Sequence, residues 1–244
     1  MRIISLNVWL GKLKDPLIAF LEREAPTTNV FCFQEMPSSL NRLLKDDLFS
    51  AVAKILPDFR GFFEVAQQDE EGGVEVGLAI FVKRAEKIDK EGDFFVYRTR
   101  NSMVGGDGRT AGRNVQFIQF PKHGKEYAIF NFHGLWSGKE REDNEARIEQ
   151  SQKLKNFLNT VAGTKIVCGD FNLTKNTKSL AILDEGMRNL VKEYGIASTR
   201  PDRYFPYPDK FCDYILVDKD VEVVGFKVLQ DEVSDHLPLF LEFK

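Results

Sequence analysis

Cysteine and histidine are both scarce in this chain. Cys32, Cys168 and Cys212 are its only thiols, and His123, His133 and His236 its only imidazoles. Three widely spaced cysteines leave at least one unpaired and build neither a disulfide framework nor a thiolate zinc cluster. A cytoplasmic or other reducing intracellular compartment is therefore expected. No apolar run reaches the length of about 18 residues that a membrane-spanning helix needs. The segment from Met1 to Leu10 carries Asn7 inside a strand-like run, without the basic stretch and apolar core of a secretory leader. Secretion and stable membrane insertion are not expected. An excess of one charge is missing too: 34 Lys plus Arg face 37 Asp plus Glu, for a net charge of -3. That balance excludes a histone-like wrapper and a disordered acidic tail, but leaves a nucleic acid or a small phosphorylated substrate open as partner. What the chain does have is apolar bulk, 43% hydrophobic residues with 21 Phe against only 9 Pro in 244 residues. No repeat, low-complexity tract or linker marks a boundary, so residues 1–244 are expected to form a single domain around one sizeable core.

Short apolar runs bounded by turn residues predict strands over 2–8, 29–33, 62–66, 74–82, 93–97, 115–120, 126–132, 165–168, 211–217, 221–228 and 237–243. Helical spacing predicts helices over 14–24, 37–56, 140–158 and 179–183. Glu35 falls just beyond one predicted strand, and the strand at 165–168 is expected to stop at Gly169. Strand-rich halves separated by a few helices imply an α/β fold of two packed sheets with helices outside.

Several polar residues close apolar runs. Asn7 and Glu35 would offer a neutral oxygen and a carboxylate at a shared sheet edge, a pair suited to a hard cation such as Mg²⁺. The same letters also describe a strand-end cap and a solvent-facing glutamate. In Gly169-Asp170-Phe171-Asn172, a tight strand exit lets Asp170 orient a water while the Asn172 amide donates to a phosphate oxygen; an ordinary Asx turn explains the same sequence. His133 and His236 sit in compact polar settings, where an imidazole can take or give a proton or simply serve as a hydrogen-bonded structural group. His123 reads as a loop residue. Asp213 opens an apolar run and needs a donor, which His236 would supply while having its tautomer fixed. Glu75 could do the same for His133, or be exposed.

The ordered set Leu6-Asn7-Val8, Gln34-Glu35, Asn131-Phe132-His133, Gly169-Asp170-Phe171-Asn172, Asp213-Tyr214-Ile215 and Ser234-Asp235-His236 closely resembles the endonuclease/exonuclease/phosphatase superfamily. The resemblance covers practically the whole chain. It implies an α/β four-layer sandwich of two packed mixed β-sheets with helices on the outer faces, and a Mg²⁺-assisted hydrolytic site, with Mn²⁺ as a substitute. Carried over by motif, Glu35 is the principal metal ligand, Asn7 helps to position the metal, and Asp235 supports the metal or its water. Asp170 and Asn172 align nucleophile and phosphate, and His236, backed by Asp213, stabilises phosphate or acts as base. His133, with Glu75 loosely matching its support, resembles the second histidine of the deoxyribonuclease-I-like branch. Cys212 departs from the Arg or apolar residue usual before the aspartate.

Substrate choice is less marked. Arg98, Arg100, Arg109 and Arg113 lie among Gly105, Gly106, Gly108 and Gly112, either as a phosphate-contacting loop or as solvated arginines on a hairpin. Arg113 is the candidate substrate contact, with Asn131 beside it. Asn144, Arg147 and Gln150 share one side of a helix and either steady the 131–136 loop or make surface hydrogen bonds. Trp9, Trp136, Tyr204, Phe205 and Tyr207 could stack on a base or rim a lipid headgroup. The leading expectation is a phosphodiesterase or nuclease. A phosphomonoesterase acting on a phosphoinositide or other small molecule, and a catalytically silent phosphate-ligand binder, are the alternatives.

Overall fold

The computed structural model describes the chain except for residues 40–46, 69–72, 123, 139–140 and 205–209. Its first half comprises β1 (Arg2–Asn7), α1 (Lys14–Glu24), β2 (Val30–Ser38), α2 (Leu48–Ile55), β3 (Phe59–Gln68), β4 (Glu75–Lys83), β5 (Lys90–Tyr97) and β6 (Arg113–Lys122). The second comprises β7 (Lys125–His133), α3 (Glu145–Thr160), β8 (Thr164–Asp170), α4 (Lys178–Asp184), β9 (Met187–Asn189), α5 (Leu190–Glu193), β10 (Asp213–Asp218), β11 (Val223–Val228) and β12 (Leu239–Phe243). His123, Lys139, Phe205, Tyr207 and part of the expected 37–56 helix lie outside the described residues.

The strands form two six-stranded sheets, in the orders β11-β12-β1-β2-β4-β3 and β5-β6-β7-β8-β10-β9. Each contains one parallel pair, β1 with β2 and β7 with β8, among antiparallel neighbours. A parallel pair needs a crossover, and α1 and α3 supply them. Helices α1 and α2 bury Leu17, Phe20, Leu21, Leu48 and Val52 against Ile4, Leu6, Phe31 and Phe33 of the first sheet. Leu154 and Leu158 of α3 do the same for the second. The result is the expected four-layer α/β sandwich. No helix among the described residues is long and apolar enough to cross a membrane.

Strand alternation places every second residue between the sheets. On β1 the inward series runs Ile3, Ser5, Asn7, while Ile4 and Leu6 face the helices. On β2 it runs Val30, Cys32, Gln34, on β7 Ile129, Asn131, His133, and on β8 Ile166, Cys168, Asp170. Each inward series starts apolar and ends polar. The layer between the sheets is thus oil at one end and a polar site at the other.

Boundaries differ from expectation where local geometry overrides composition. Strand β8 does not stop at Gly169 but continues through Asp170, pairing with β7 on one side and β10 on the other. Strand β2 runs on through Pro37 and Ser38, and α2 starts only at Leu48, where the Asp47 side chain accepts from Ser50 N at 3.1 Å. Elements β9 and α5 were not expected, being too short for periodicity to show. Gly169 explains the β8 continuation. It holds φ +141°, and a Cβ there would lie 1.9 Å from the Phe132 carbonyl oxygen, so only glycine lets β7 and β8 approach this closely. Gly169→Ala is expected to cost about 2–4 kcal/mol in urea unfolding, from overlap plus backbone strain. Gly186→Ala, at φ +81° with nothing within 4 Å, should cost about 1 kcal/mol; equal losses would show that overlap is not the cause.

Candidate active site

Three strand ends put the first row of side chains in place. The β7–β8 register sets His133 opposite Asp170, and the β8–β10 register sets Asp170 opposite Asp213. From the facing sheet, Asn7 stands at the end of β1 and donates its Nδ2 to Glu35 Oε1 and to Asp170 Oδ2, both at 3.1 Å. Its Oδ1 accepts from Trp9 N at 2.9 Å, which fixes the amide's orientation. Glu35 lies at a bulge where the β2–β4 ladder skips from Phe33 to Met36, with φ +52°. That conformation is uncommon for a glutamate, and the extra residue turns its carboxylate toward Asn7 rather than along the ladder.

The loop before β12 brings in His236. Ser234 Oγ donates to Asn7 O at 2.6 Å and anchors the loop to β1. His236 Nδ1 lies 2.8 Å from Asp213 Oδ1, and its Nε2 lies 3.6 Å from Asp170 Oδ2. His133 Nε2 lies 3.7 Å from the same Asp170 oxygen and 3.8 Å from Glu35 Oε1. One Asp170 oxygen therefore sits between two imidazoles and an amide.

Burial sets the charge states. It pulls His236 down to about 3, with the Arg200 charge adding to the effect, and pulls His133 well below its usual value, with Arg113 and His236 contributing. Both rings are neutral near pH 7. His236 then donates Nδ1–H to Asp213 and leaves the Nε2 lone pair facing the site. Burial also pushes Asp213 up to about 6, against hydrogen bonds from Cys212 and Thr199. It raises Glu35, with Asp170 and Asp235 adding repulsion while Asn7 and Arg113 oppose it.

Two arginines enter this acidic pocket. Of the four glycine-flanked arginines, only Arg113 reaches it, with Nη1 3.5 Å from His133 Nδ1. Arg109 is paired with Asp107, Arg100 reaches Glu64 and Asp93, and Arg98 lies over Tyr97. Arg200 had no motif or spacing to mark it. It is 7% exposed, its Nη2 donates to Asp235 Oδ2 at 2.7 Å, and its Nη1 meets His236 Nε2.

Other expected residues are placed as follows. Glu75, at the start of β4 opposite Ser38 and Gln68, makes no hydrogen bond or ion pair with His133; Arg113 occupies the Nδ1 side instead. Asn131 is fully buried between the sheets, donating to Phe33 O at 2.9 Å and Ala79 O at 3.2 Å and accepting from Gln34 Nε2 at 2.6 Å. All its polar atoms are used in joining the sheets, so it does not face a substrate. Asn172, at φ +53°, donates its backbone N–H to Asp170 Oδ1 at 2.9 Å, and its Nδ2 donates to Gly134 O at 3.2 Å. One amide hydrogen of Asn172 is left for another acceptor. Gln150 and Arg147 hold Leu135 by its backbone N–H and C=O, and Asn144 reaches Ser137, so this helix side does steady the loop after His133. Trp9 packs on Tyr204 at 5.6 Å between ring centroids, and Trp136 is exposed.

The donor set can accept a cation. Ligand atoms of Asp170, Cys212, Asp213 and His236 all lie within 4.8 Å of one another, a group dense enough to hold a metal ion. Beside it, Glu35 and Asp170 converge on one amide.

Against protein-family models, residues 4–236 match the endonuclease/exonuclease/phosphatase family. The chain belongs to that family. Among solved structures, an endonuclease/exonuclease/phosphatase family protein from Leptotrichia buccalis C-1013-b superposes with a TM-score of 0.78 at 18% identity, covering 100% of this chain and 99% of that one. A mannosyl-6-phosphatase from Bacteroides thetaiotaomicron gives 0.75 at 20% identity, over 100% and 99%. The catalytic domain of human Nocturnin, with a bound sulfate, gives 0.70 at 18%, over 100% and 94%. No curated protein matches the chain in sequence. The paired His133 and His236 are consistent with the deoxyribonuclease-I-like branch of the family.

The buried neutral His236 has a consequence for stability. A group whose folded pKa is depressed contributes stability that is complete above its unfolded value and is lost as pH falls toward the folded one. For His236 that window runs from 6.5 down to about 3. In thermal melts without added metal, Tm should fall across this window, and His236→Gln should fall less steeply. Parallel slopes would contradict a neutral buried ring.

Proposed function

We propose that this chain is a divalent-metal-dependent phosphoric ester hydrolase, with phosphodiesters, nucleic acid included, as the first substrate class. The observation that carries this reading is the convergence of Asp170 Oδ2 on Asn7, His133 and His236, with Glu35 on the same amide. Glu35, Asp170 and Asp235 are the oxygen donors for Mg²⁺ or Mn²⁺, hard cations that prefer carboxylate and water. Burial pushes the Cys212 thiol well up, so it stays protonated, and its Sγ–H donates to Asp213 Oδ2 at 3.0 Å; this side of the site serves the imidazole rather than a hard ion. When bound, the metal supplies Lewis-acid charge that offsets the growing charge on the phosphoryl oxygens.

The protein's own groups do the rest. Asp170 orients the attacking water, and Asp213 holds His236 in the tautomer that presents a lone pair. His133, Arg113 and the remaining Asn172 hydrogen are donors for phosphoryl oxygens. Arg200 holds His236 Nε2 and Asp235 until a phosphate competes for its guanidinium. Attack is in line, by water, with no covalent enzyme intermediate. A phosphomonoester is the second reading, favoured by Arg113 rather than Glu75 at His133. The three free, buried cysteines fit a reducing compartment.

Product-resolved assays with Mg²⁺ or Mn²⁺ on DNA, RNA, nucleotides, inositol phosphates and phospholipids test the proposal. Internal strand cleavage supports the first reading and direct release of inorganic phosphate the second; no metal-dependent product at all would end both. Glu35→Gln and Asp170→Asn should each lower kcat about 100-fold or more. Arg200→Gln should raise KM for an anionic substrate about tenfold, and an unchanged KM would remove Arg200 from phosphate binding.

A further inference from the structure

A pocket of about 240 Å³ opens directly beside Glu35, His133 and Arg113. Its walls are Leu10, Ala66, Val76, Leu78, Met103 and Ala111. The segment that roofs it is tied down: Asn101 N donates to Ala66 O at 3.1 Å, Met103 N to Gln67 Oε1 at 2.9 Å, and Val104 N to Thr110 Oγ1 at 2.8 Å. At its root Gly112 passes so close to Thr99 that a Cβ would lie 2.2 Å from the Thr99 carbonyl oxygen. The roof is therefore built into the fold where it leaves β5 and enters β6.

Five of the described lining residues are polar or charged, Glu35, Gln67, Arg113, Asn114 and His133, and Gln67 Nε2 and Arg113 Nε are buried without a hydrogen-bond partner. The Gln67 carbonyl accepts from Met103, and Asn114 Nδ2 donates to Asp93 at 2.9 Å. Among the described residues, a polyol placed here would find unpaired donors only in Gln67 Nε2 and Arg113 Nε and would bury its remaining hydroxyls against aliphatic walls, which costs about 1–3 kcal/mol for each. The volume falls below the range of about 300–1,000 Å³ typical of sites for drug-sized ligands, so neither a base-paired stack nor a large headgroup fits. Because Glu35, His133 and Arg113 are among its lining residues, its occupant is the group carried by the phosphate being hydrolysed.

We infer that the pocket selects phosphate esters carrying one compact apolar ring over esters of polyols. This inference rests on the phosphoester hydrolase reading and narrows it. The ring is either esterified directly or borne on a sugar as a nucleobase, whose polar edge would take the unpaired Gln67 Nε2 while its faces meet the aliphatic walls.

The test compares phenyl phosphate, thymidine 5′-monophosphate, hexyl phosphate and glycerol phosphate, together with their aryl and nucleoside diesters, in the presence of Mn²⁺. Binding of phenylphosphonate and methylphosphonate is followed in parallel by calorimetry. At least one ring-bearing ester should show a KM tenfold or more below that of the glycerol ester, and phenylphosphonate should bind at least tenfold more tightly than methylphosphonate. Preference for the phenyl ester assigns a directly esterified ring, and preference for the nucleotide assigns a base. Val76→Phe or, should that variant not fold by circular dichroism, Met103→Trp should narrow the ring-to-glycerol ratio to threefold or less. Equal KM values, a preference for the hexyl chain, or a ratio that survives both variants would overturn the pocket's assignment while leaving hydrolysis intact. Phenylphosphonate binding without turnover of any ester would instead sustain the pocket and overturn the hydrolase reading.

Discussion

One side-chain amide holds two acids together across the interface between two sheets. Asn7 sits on the last residue of β1 and gives one hydrogen to Glu35, from its own sheet, and the other to Asp170, from the facing sheet. Without a donor between them, the two buried carboxylates would only repel. With it, they share a small volume and keep the oxygens that a hard cation needs. The positions of His133 and His236 on either side of Asp170 follow from this meeting point.

The polar layer behind the site serves the same end. Gln34 donates to Asn131 and to Ser5, and Asn131 donates to two carbonyls of the opposite sheet. Such a network orients the groups it joins, although Gln34 Oε1 and Gln116 Nε2 are buried without a partner. Here it fixes the sheets against sliding where the spacing of the acids matters, while Ile3, Val30, Ile129 and Ile166 supply apolar burial deeper in.

Much of this was readable in sequence because strand alternation has a period of two and the polar residues close apolar runs. Asn7 closes an apolar run and Asp170 follows one, Asp213 opens another, and the histidine–aspartate partnership follows from chemical need. The remainder depends on contacts distant in the chain. Asn131 has the same flanking pattern as His133, and only the opposite sheet shows that it is consumed by carbonyls. Glu35 reaches the site because of a bulge, a defect of pairing that a single strand cannot display. Arg200 sits in a loop without periodicity, and its partners are 35 and 36 residues away. Glu75 matched a glutamate before an apolar strand, a pattern too common to specify a contact.

Strand β1 pairs with β2 on one side and with β12 on the other, Arg2 lying opposite Glu242. The first strand therefore waits in the nascent polypeptide for the last one before its sheet can close, and loop-closure entropy at that separation makes the step slow. Asn7 and His236 belong to those two ends. His236 thus joins the site only once the segment before β12 has docked on β1, where Ser234 Oγ donates to Asn7 O.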